Sequence, residues 1–447
     1  MTDTTHLRTA VEELLPTALA ELATLVSMRS VADPEVEDPA ELGKAANWVA
    51  AALGELGLET ELARTPDGTD AVIARHTAAP DLPKVLLYAH YDVQPAPADG
   101  WRTDPWTLTE SGGRYYGRGA ADCKGNIMAH LTALRALKQV DGEFPCSITV
   151  VVEGSEEQGT AGLEDYVRAR PEEFAADAII IGDVGNLEVG VPTLTVALRG
   201  MASVIVNVAT GTSQLHSGAF GGAAPDALAA LITILSSMYD EAGNTTIDGL
   251  DNTGVWQGAQ YDEATFRSDA GTLPGVERIG TGTVADQVWA RPAATVLGID
   301  APAVIGAVPA IQPTASAHVS LRVPPGIDAE DAQSLLIAHL EAAAPWGAQV
   351  ECERAGIGSP YAAAQDSRAF HVLSAAMGEA FDAPVQTSGQ GGSIPLTAAL
   401  SRAHPDAAIV MIGVADPACK MHAENESVHP GEIAGMALAE ALFLRNL

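Results

Sequence analysis

The sequence predicts an α/β protein whose chain forms two domains. The chain has 447 residues, which is more than one ordinary hydrophobic core accommodates. Strand-like apolar runs alternate with amphipathic helical patterns up to residue 197 and again from residue 357, and this alternation indicates a sheet with a parallel core. Residues 198–356 have a different pattern, typical of a small α+β domain inserted into the first one.

The first part of the chain supplies most of the predicted sheet. Apolar residues at three-to-four spacing predict helices over 10–28, 40–59 and 126–140. Apolar runs predict strands over 71–76, 84–90, 147–154 and 177–183. In an open α/β sheet, ligands are expected beyond the carboxyl ends of the strands.

The rest of the chain contains the inserted domain and then returns to the α/β pattern. Residues 193–210 form one long alternating run, and residues 241–300 read as long loops with short helices. The remaining predicted helices lie over 226–240, 329–344, 367–381 and 431–447, and the remaining predicted strands over 317–326, 348–356 and 407–413. The simplest account is a discontinuous catalytic domain, residues 1–197 and 357–447, with residues 198–356 inserted.

Composition excludes several classes of function. The chain has 24 Lys and Arg residues and 58 Asp and Glu residues, which gives a net charge of −34. This negative charge argues against nucleic acid or an anionic membrane as partner. The chain contains no run of 18 apolar residues, and its first residues are acidic where a signal peptide is basic. Four scattered cysteines without a CxxC pair fit free thiols. A cytoplasmic location is therefore expected.

Metal-capable side chains follow three of the predicted strands. His90 and Asp92 follow the second strand, the pair Glu156 and Glu157 follows the third, and Asp183 ends the fourth. Asp122 and His422 lie in loops. One such residue alone is more often structural, and an acidic turn is more often a solvated one. Together, however, they would converge on one rim of the sheet.

The donor types indicate which ions this rim would hold. Two imidazoles with several carboxylates suit zinc or a similar divalent ion, whereas calcium takes oxygen ligands. The number of carboxylates suggests two ions, since one carboxylate can bridge two metals. Two divalent ions bring a charge of +4 against −5 from the five carboxylates, which removes their mutual repulsion.

Six ordered motifs make the chain similar to a known family. HYDVQP, GGRYYGRGAADCKG, EGSEEQGT, LHSGAFGG, GQGGSIP and MHAENE occur in this order between residues 90 and 426. They resemble the di-zinc exopeptidases that include carnosinase-type dipeptidases, aminoacylases and succinyl-diaminopimelate desuccinylases. The resemblance implies a di-zinc catalytic α/β domain with a mixed sheet flanked by helices, and an inserted two-layer α+β lid or dimerisation domain, usually in a homodimer.

The resemblance also implies roles for the residues at the rim. Asp122 would bridge the two ions, His90 and Asp183 would complete one site, and Glu157 and His422 the other. Asp92 would hydrogen-bond the His90 imidazole. Glu156 would be the general base for a water held between the ions.

Further roles fall on the inserted domain and a glycine-rich segment. By resemblance, His216 would contact the scissile carbonyl or the substrate carboxylate, and Arg322 would bind the α-carboxylate. Gly391, Gly392 and Ser393 would present backbone N–H groups and a hydroxyl to the substrate. The alternatives are a loop histidine, a surface arginine and an ordinary glycine-rich turn.

The resulting expectation is a dinuclear metal-dependent dipeptidase acting on small peptides with a free C-terminal carboxylate. Aspartate at position 183 favours this, since in the family glutamate there accompanies deacylases. An N-acyl-amino-acid deacylase and a non-catalytic metal-binding protein are the alternatives. Zinc is the expected metal, with manganese or cobalt open. The sequence departs from the family at Cys123, where dipeptidases often carry Asp, and the Asp122–Cys123 peptide bond is expected to be cis.

Overall fold

The computed structural model describes residues 2–97, 99–392 and 394–447. No helix among these residues is long and apolar enough to cross a membrane. The helices of the described residues are α1 (Thr2–Ser27), α2 (Pro39–Glu55), α3 (Lys124–Asp141), α4 (Gly162–Ala169), α5 (Ser217–Phe220), α6 (Ala227–Ser236), α7 (Glu263–Asp269), α8 (Ala329–Ala342), α9 (Arg368–Phe381), α10 (Pro395–Ala403) and α11 (Pro430–Asn446).

The strands have the following bounds. They are β1 (Glu59–Arg64), β2 (Asp70–His76), β3 (Lys84–His90), β4 (Thr109–Ser111), β5 (Arg114–Tyr116), β6 (Ser147–Glu153), β7 (Ala178–Gly182), β8 (Thr193–Leu198), β9 (Gly200–Ala209), β10 (Leu215–His216), β11 (Ala293–Asp300), β12 (Ala310–Ile311), β13 (Thr314–Val323), β14 (Gln349–Gly358), β15 (Tyr361–Ala362), β16 (Gln386–Gln390), β17 (Ala408–Ile412) and β18 (Ser427–Val428).

The chain divides into two compact units. The first unit comprises Met1–Val196, Ala363–Ser388 and Pro395–Leu447, and the inserted unit comprises Ala197–Ala362 and Gly389–Ile394. The short segment Gly389–Ile394 thus groups with the inserted unit, although it lies far along the chain within the predicted catalytic residues 357–447. The role of the inserted unit as a lid or dimerisation domain stays a prediction.

The first unit is built on a mixed sheet. Its strands lie in the order β1-β2-β6-β3-β7-β17, and β8 follows β17. The pairs β6–β3, β3–β7 and β7–β17 are parallel, whereas β1–β2, β2–β6 and β17–β8 are antiparallel. Helices α1, α3, α9 and α11 pack against one another in this unit. The predicted mixed α/β sheet with flanking helices is confirmed.

The parallel core strands are buried along nearly their whole length. All five residues of β7 and six of the seven residues of β3 are buried, which is expected of parallel strands covered on both faces. Their continuous apolar runs allowed the sequence to predict them to within one residue of the observed bounds. Because these strands are parallel, their carboxyl ends meet at one edge of the sheet.

The inserted unit is a two-layer α+β structure. Its antiparallel sheet has the order β11-β13-β9-β14, and α6 and α8 pack on it. Each helix begins at an aspartate: Asp226 accepts from Ala229 N at 3.0 Å, and Asp328 accepts from Glu330 N at 2.9 Å. Apolar residues from both layers form the core, among them Val204, Val206, Leu231, Ile234, Val319, Leu321, Leu336 and Leu340.

Two elements differ from the sequence prediction. The alternating run 193–210 breaks after Leu198, and a new strand starts at Gly200, where a Cβ would lie 2.3 Å from the carbonyl oxygen of Gly358. Only glycine allows this approach. In addition, β11 lies inside the segment 241–300 that was read as loops. It is mostly exposed, and a register shift between Val296 and Gly298 interrupts its alternation, so the period-two signal is lost.

Candidate active site

The carboxyl ends of the parallel strands carry the predicted polar residues. His90 ends β3 and pairs in register with Glu153, the last residue of β6. Glu156 and Glu157 follow β6 in a single turn of 3-10 helix, and Asp183 follows β7 directly. Asp122 stands just before α3, and the Asp122–Cys123 peptide bond is cis, as the resemblance implied.

Two groups of potential metal ligands meet at Asp122. His90 Nε2 lies 3.1 Å from Asp122 Oδ1 and 3.4 Å from Asp183 Oδ1. His422 Nε2 lies 2.9 Å from Asp122 Oδ2 and 3.1 Å from Glu157 Oε2. We call these the first and the second donor group. Asp122 therefore offers one carboxylate oxygen to each group.

The geometry of both donor groups fits a divalent cation. Four ligand atoms in a tetrahedron about 2.0–2.2 Å from a zinc-like ion lie about 3.3–3.6 Å from one another. The separations in both groups are close to this, and mixed imidazole and carboxylate donors suit first-row divalent ions. The sulfur of Cys123 also lies within 4.8 Å of the ligand atoms of His90 and Asp183, although its thiol donates to the carbonyl oxygen of Gly182 at 3.0 Å.

The electrostatics of the cluster favour added positive charge. Burial and the charge of Asp183 raise the pKa of Glu156 to about 9. Burial, against the attraction of His90, raises the pKa of Asp183 to about 6. Hydrogen bonds to Asp122 and Glu157 raise the pKa of His422 to about 10. Cations at this edge would stabilise the ionised carboxylates and displace the proton from the imidazole.

Asp92 connects the first donor group to the predicted base. Its carboxylate is fully buried, and Oδ1 lies 3.3 Å from His90 Nδ1, which also contacts the backbone carbonyl oxygen of Asp92 at 3.1 Å. The same carboxylate accepts hydrogen bonds from the backbone N–H groups of Glu156 at 3.2 Å and Glu157 at 3.0 Å. The contact with the imidazole was predicted, but the two contacts with the backbone were not. Asp92 therefore orients the imidazole of His90 and the loop that carries Glu156.

Asp67, to which the sequence pattern assigns no role, anchors the loop that carries Glu156 and Glu157. We call this loop, residues 155–160, the acidic loop. Asp67 accepts hydrogen bonds from Ser155 Oγ at 2.7 Å and from Thr160 Oγ1, near the two ends of the loop. It also accepts from Thr65 Oγ1 at 2.6 Å. These hydrogen bonds outweigh partial burial and lower the pKa of Asp67. The sequence TPDGT indicates a turn at Asp67, but no local pattern indicates partners almost 90 residues away.

Two further polar residues hold Glu157 and Asp122 in position. Gln94 Nε2 donates to Glu157 Oε2 at 2.8 Å, and a cavity of about 530 Å³ is lined by both residues. Glu426 accepts from Arg118 Nη1 at 2.8 Å and from the backbone N–H of Asp122 at 3.1 Å. Gln94 lies in the motif HYDVQP and Glu426 in MHAENE, but neither motif predicts these hydrogen bonds.

Glu153, the remaining acidic residue beside the loop, has a separate environment. Tyr88 Oη donates to Glu153 Oε1 at 2.6 Å, and both side chains are buried. Burial raises the pKa of Glu153 to about 8, and its side chain pairs with Tyr88 instead of joining either donor group.

The structure brings seven predicted site residues together at the sheet edge of the first unit. They are His90, Asp92, Asp122, Glu156, Glu157, Asp183 and His422. Four others belong to the inserted unit, namely His216, Arg322, Gly391 and Gly392. Ser393 lies outside the described residues.

Within the inserted unit, the imidazole of His216 is exposed and its Nδ1 accepts from the backbone N–H of Gly218 at 3.1 Å. Its Nε2 is then the nitrogen that carries the proton. Arg322 lies on β13 opposite Met201 of β9.

Comparison with known proteins places these observations in a family context. Residues 86–446 match the family described as peptidase family M20/M25/M40. The chain is 46% identical over 431 residues to a protein of Corynebacterium striatum named cysteinylglycine-S-conjugate dipeptidase, which covers 95% of this chain and 94% of the relative.

Two further proteins extend the comparison. A Schizosaccharomyces pombe protein named Cys-Gly metallodipeptidase is 31% identical over 293 residues, which is 61% of each chain. The solved structure of human carnosine dipeptidase 1 has a TM-score of 0.80 and 24% identity, and covers 99% of this chain and 98% of that one. This last likeness shows a shared fold.

Proposed function

Since the chain belongs to peptidase family M20/M25/M40, we propose that it is a metal-dependent dipeptidase acting on dipeptides or short peptides with a free C-terminal carboxylate. One observation carries the proposal. The two carboxylate oxygens of Asp122 face two different imidazole–carboxylate groups, beside the half-buried Glu156, which is not part of either group.

The donor groups are the proposed sites for two divalent cations. His90, Asp122 and Asp183 would hold one cation, and Asp122, Glu157 and His422 the other. Bound there, the cations supply positive charge that polarises the substrate carbonyl and lowers the pKa of a water molecule. Zinc is the proposed metal, with manganese and cobalt as the alternatives.

Glu156 is the proposed general base and acid. It accepts a proton from the attacking water, whose oxygen forms the new bond to the carbonyl carbon. The same proton then passes to the amine nitrogen as the carbon–nitrogen bond breaks. Asp92 holds the backbone N–H of Glu156, which fixes the loop from which the carboxylate reaches the water.

The inserted unit supplies the proposed substrate contacts. His216 would donate from Nε2 to the carbonyl oxygen as negative charge develops there. Arg322 and the backbone N–H groups of Gly391 and Gly392 would bind the substrate carboxylate. The homodimer and the cytoplasmic location stay predictions.

The names of the relatives indicate where substrate tests begin. The protein that is 46% identical is named for cysteinylglycine S-conjugates, and the S. pombe relative for Cys-Gly. We therefore propose cysteinylglycine and its S-conjugates as the first substrates to test. The alternative deacylase activity is not favoured, because these relatives are named as dipeptidases.

A substrate panel with a matched pair of variants tests the proposal. The metal-loaded protein is assayed on Cys-Gly, an S-alkyl Cys-Gly, β-Ala-His and an N-acetyl amino acid. Glu156→Gln is expected to abolish nearly all turnover while metal content is kept. Glu153→Gln is the control, since Glu153 belongs to neither donor group and its amide oxygen can still accept the hydrogen bond from Tyr88. Preference for the acetylated compound, or full activity of Glu156→Gln, would contradict the proposal.

A further inference from the structure

A buried arginine of the inserted unit has no anionic partner among the residues that the structure describes. Arg199 follows β8 and is 9% exposed. Its Nη1 approaches two carbonyl oxygens at long distances, 3.3 Å to Gln287 and 3.5 Å to Arg291. Its Nε is buried and has no hydrogen-bond partner among the described residues.

The charged neighbour of Arg199 is another cation. Burial and the positive charge of Arg322 lower the pKa of Arg199 to about 10. Within the described part of the chain, no carboxylate acts on the charge of the Arg199 guanidinium. Removing a charge from water without a partner is costly. A buried guanidinium without an anionic partner, in the field of the half-buried Arg322, indicates a site that receives an anion.

The glycine-rich segment is shaped around the same arginine. The backbone N–H of Arg199 donates to the carbonyl oxygen of Gln390 at 3.0 Å. A Cβ on Gly391 would lie 2.9 Å from Arg199 Nη2, so a larger residue at 391 would push against the guanidinium. Arg199 therefore lies beside the segment that is proposed to contact the substrate carboxylate.

Donors of Arg199 remain available on one edge of the guanidinium. Nη1 faces the carbonyl oxygens of Gln287 and Arg291, while no acceptor for Nε or Nη2 is found among the described residues. The Nε and Nη2 edge is one of the two edges that bind a carboxylate through parallel hydrogen bonds. Arg199 also lines a cavity of about 360 Å³ whose other walls include Phe266, Val284 and Val288, so open space reaches this side chain.

We propose that Arg199 is a further substrate-binding residue, which together with Arg322 binds the C-terminal carboxylate of the peptide through its Nε and Nη2 edge. This inference rests on the proposed dipeptidase function. Two guanidinium groups attract a negatively charged carboxylate but gain little from an uncharged amide. The site therefore discriminates strongly against peptides whose C-terminus is an amide. The competing role is a structural one, in which Arg199 only supports the segment Gly389–Ile394.

The two roles differ in what Arg199→Met does to substrate choice. Methionine keeps much of the length of the side chain and removes the charge. The value of kcat/KM is measured for Cys-Gly and for its C-terminal amide. If Arg199 binds the carboxylate, the variant loses about ten- to hundredfold on Cys-Gly and far less on the amide, so the ratio between the two substrates collapses. A structural role would lower both values together.

A second variant and a control complete the experiment. Arg199→Lys keeps one charge but loses the planar fork, and an intermediate ratio is expected; this variant decides the matter if Arg199→Met does not fold. Arg291→Met is the control, because Arg291 also donates to backbone carbonyl oxygens, Gly254 O at 2.8 Å and Thr281 O at 2.8 Å. It is expected to leave the ratio unchanged.

The outcomes separate the inference from the function on which it rests. If the wild-type protein hydrolyses no dipeptide, the proposed function fails and this inference fails with it. If the wild type prefers the free carboxylate and both Arg199 variants keep the full preference, the dipeptidase function stands and the role of Arg199 is refuted.

Discussion

Replacing Asp92 with asparagine tests the link between the first donor group and the predicted base. The carboxylate of Asp92 faces three donors, His90 Nδ1 at 3.3 Å, Glu156 N at 3.2 Å and Glu157 N at 3.0 Å. Asparagine has one oxygen and one NH2 group in the same space. Whichever way the amide is turned, its NH2 faces at least one N–H donor.

The size of the effect follows from these contacts. Partners of a metal-binding histidine typically contribute ten- to hundredfold to metal affinity, which corresponds to about 1.4–2.7 kcal/mol. A buried donor left without an acceptor costs about 1–3 kcal/mol of folding stability. We therefore expect Asp92→Asn to lose about ten- to hundredfold in metal affinity and about 1–3 kcal/mol in the free energy of unfolding of the metal-free protein.

The assay combines metal titration with denaturant unfolding. Cation affinity is measured by competition with a chelator, and stability by urea unfolding after chelator treatment. Asp328→Asn is the matched control, because Asp328 also accepts two backbone N–H groups, at 2.9 and 3.0 Å, but lies in the inserted unit at the start of α8. Asparagine is as good a helix N-cap as aspartate, so this variant is expected to keep both properties.

Two results would refute the reasoning. If Asp92→Asn binds cations as tightly as the wild type, His90 does not depend on Asp92 for its orientation. If metal affinity falls equally in Asp328→Asn, the loss reflects a general effect of charge removal and not the contacts at the sheet edge.

Three further predictions follow from other contacts. Asp67→Asn is expected to destabilise the protein at pH 7 by about 1–2 kcal/mol through lost hydrogen bonds to the acidic loop. Because the folded-state pKa of Asp67 is lowered from 3.8, the stability that its carboxylate contributes is present above pH 3.8 and is lost on acidification. Urea unfolding should therefore show the stabilities of the wild type and the variant converging towards pH 3. Gly391→Ala should lower the free energy of unfolding by about 0.5–1 kcal/mol, since its Cβ would meet the end of the flexible Arg199 side chain at 2.9 Å and displace it. Gly392→Ala meets no atom within 4 Å and should leave the unfolding curve unchanged. Cation affinity should rise with pH between 6 and 9, because the pKa values of Asp183 and His422 are about 6 and about 10 and a cation displaces the protons bound to these groups. Calorimetry in buffers of different ionisation enthalpy counts the protons released. A cation affinity that does not change with pH would contradict this prediction.

The sequence predicted the parallel core and its edge because both depend on local pattern. The strands β3, β6 and β7 are continuous apolar runs, and each is followed by polar residues whose types are unusual after a buried strand. Asp122 and His422 lie in loops instead, so their approach to that edge followed from the family resemblance and not from periodicity.

The supporting contacts could not be predicted, for a physical reason. Asp67 and Glu426 act by accepting hydrogen bonds from loops that are distant in sequence, and an acceptor of this kind leaves no periodic signal. The break after Leu198 was missed for a similar reason. The alternating pattern of apolar residues continues through Arg199 and Gly200. The start of a new strand at Gly200 depends instead on the close approach of its backbone to the carbonyl oxygen of Gly358.

The position of Asp122 between the two donor groups has a thermodynamic consequence. If the two proposed cations share the Asp122 carboxylate, their binding equilibria are interdependent, and the factor by which one cation changes the affinity for the second must equal the factor in the opposite direction. A titration of the metal-free protein should therefore not follow two independent isotherms. Any substitution at Asp122 should remove this cooperativity together with the affinity of both sites.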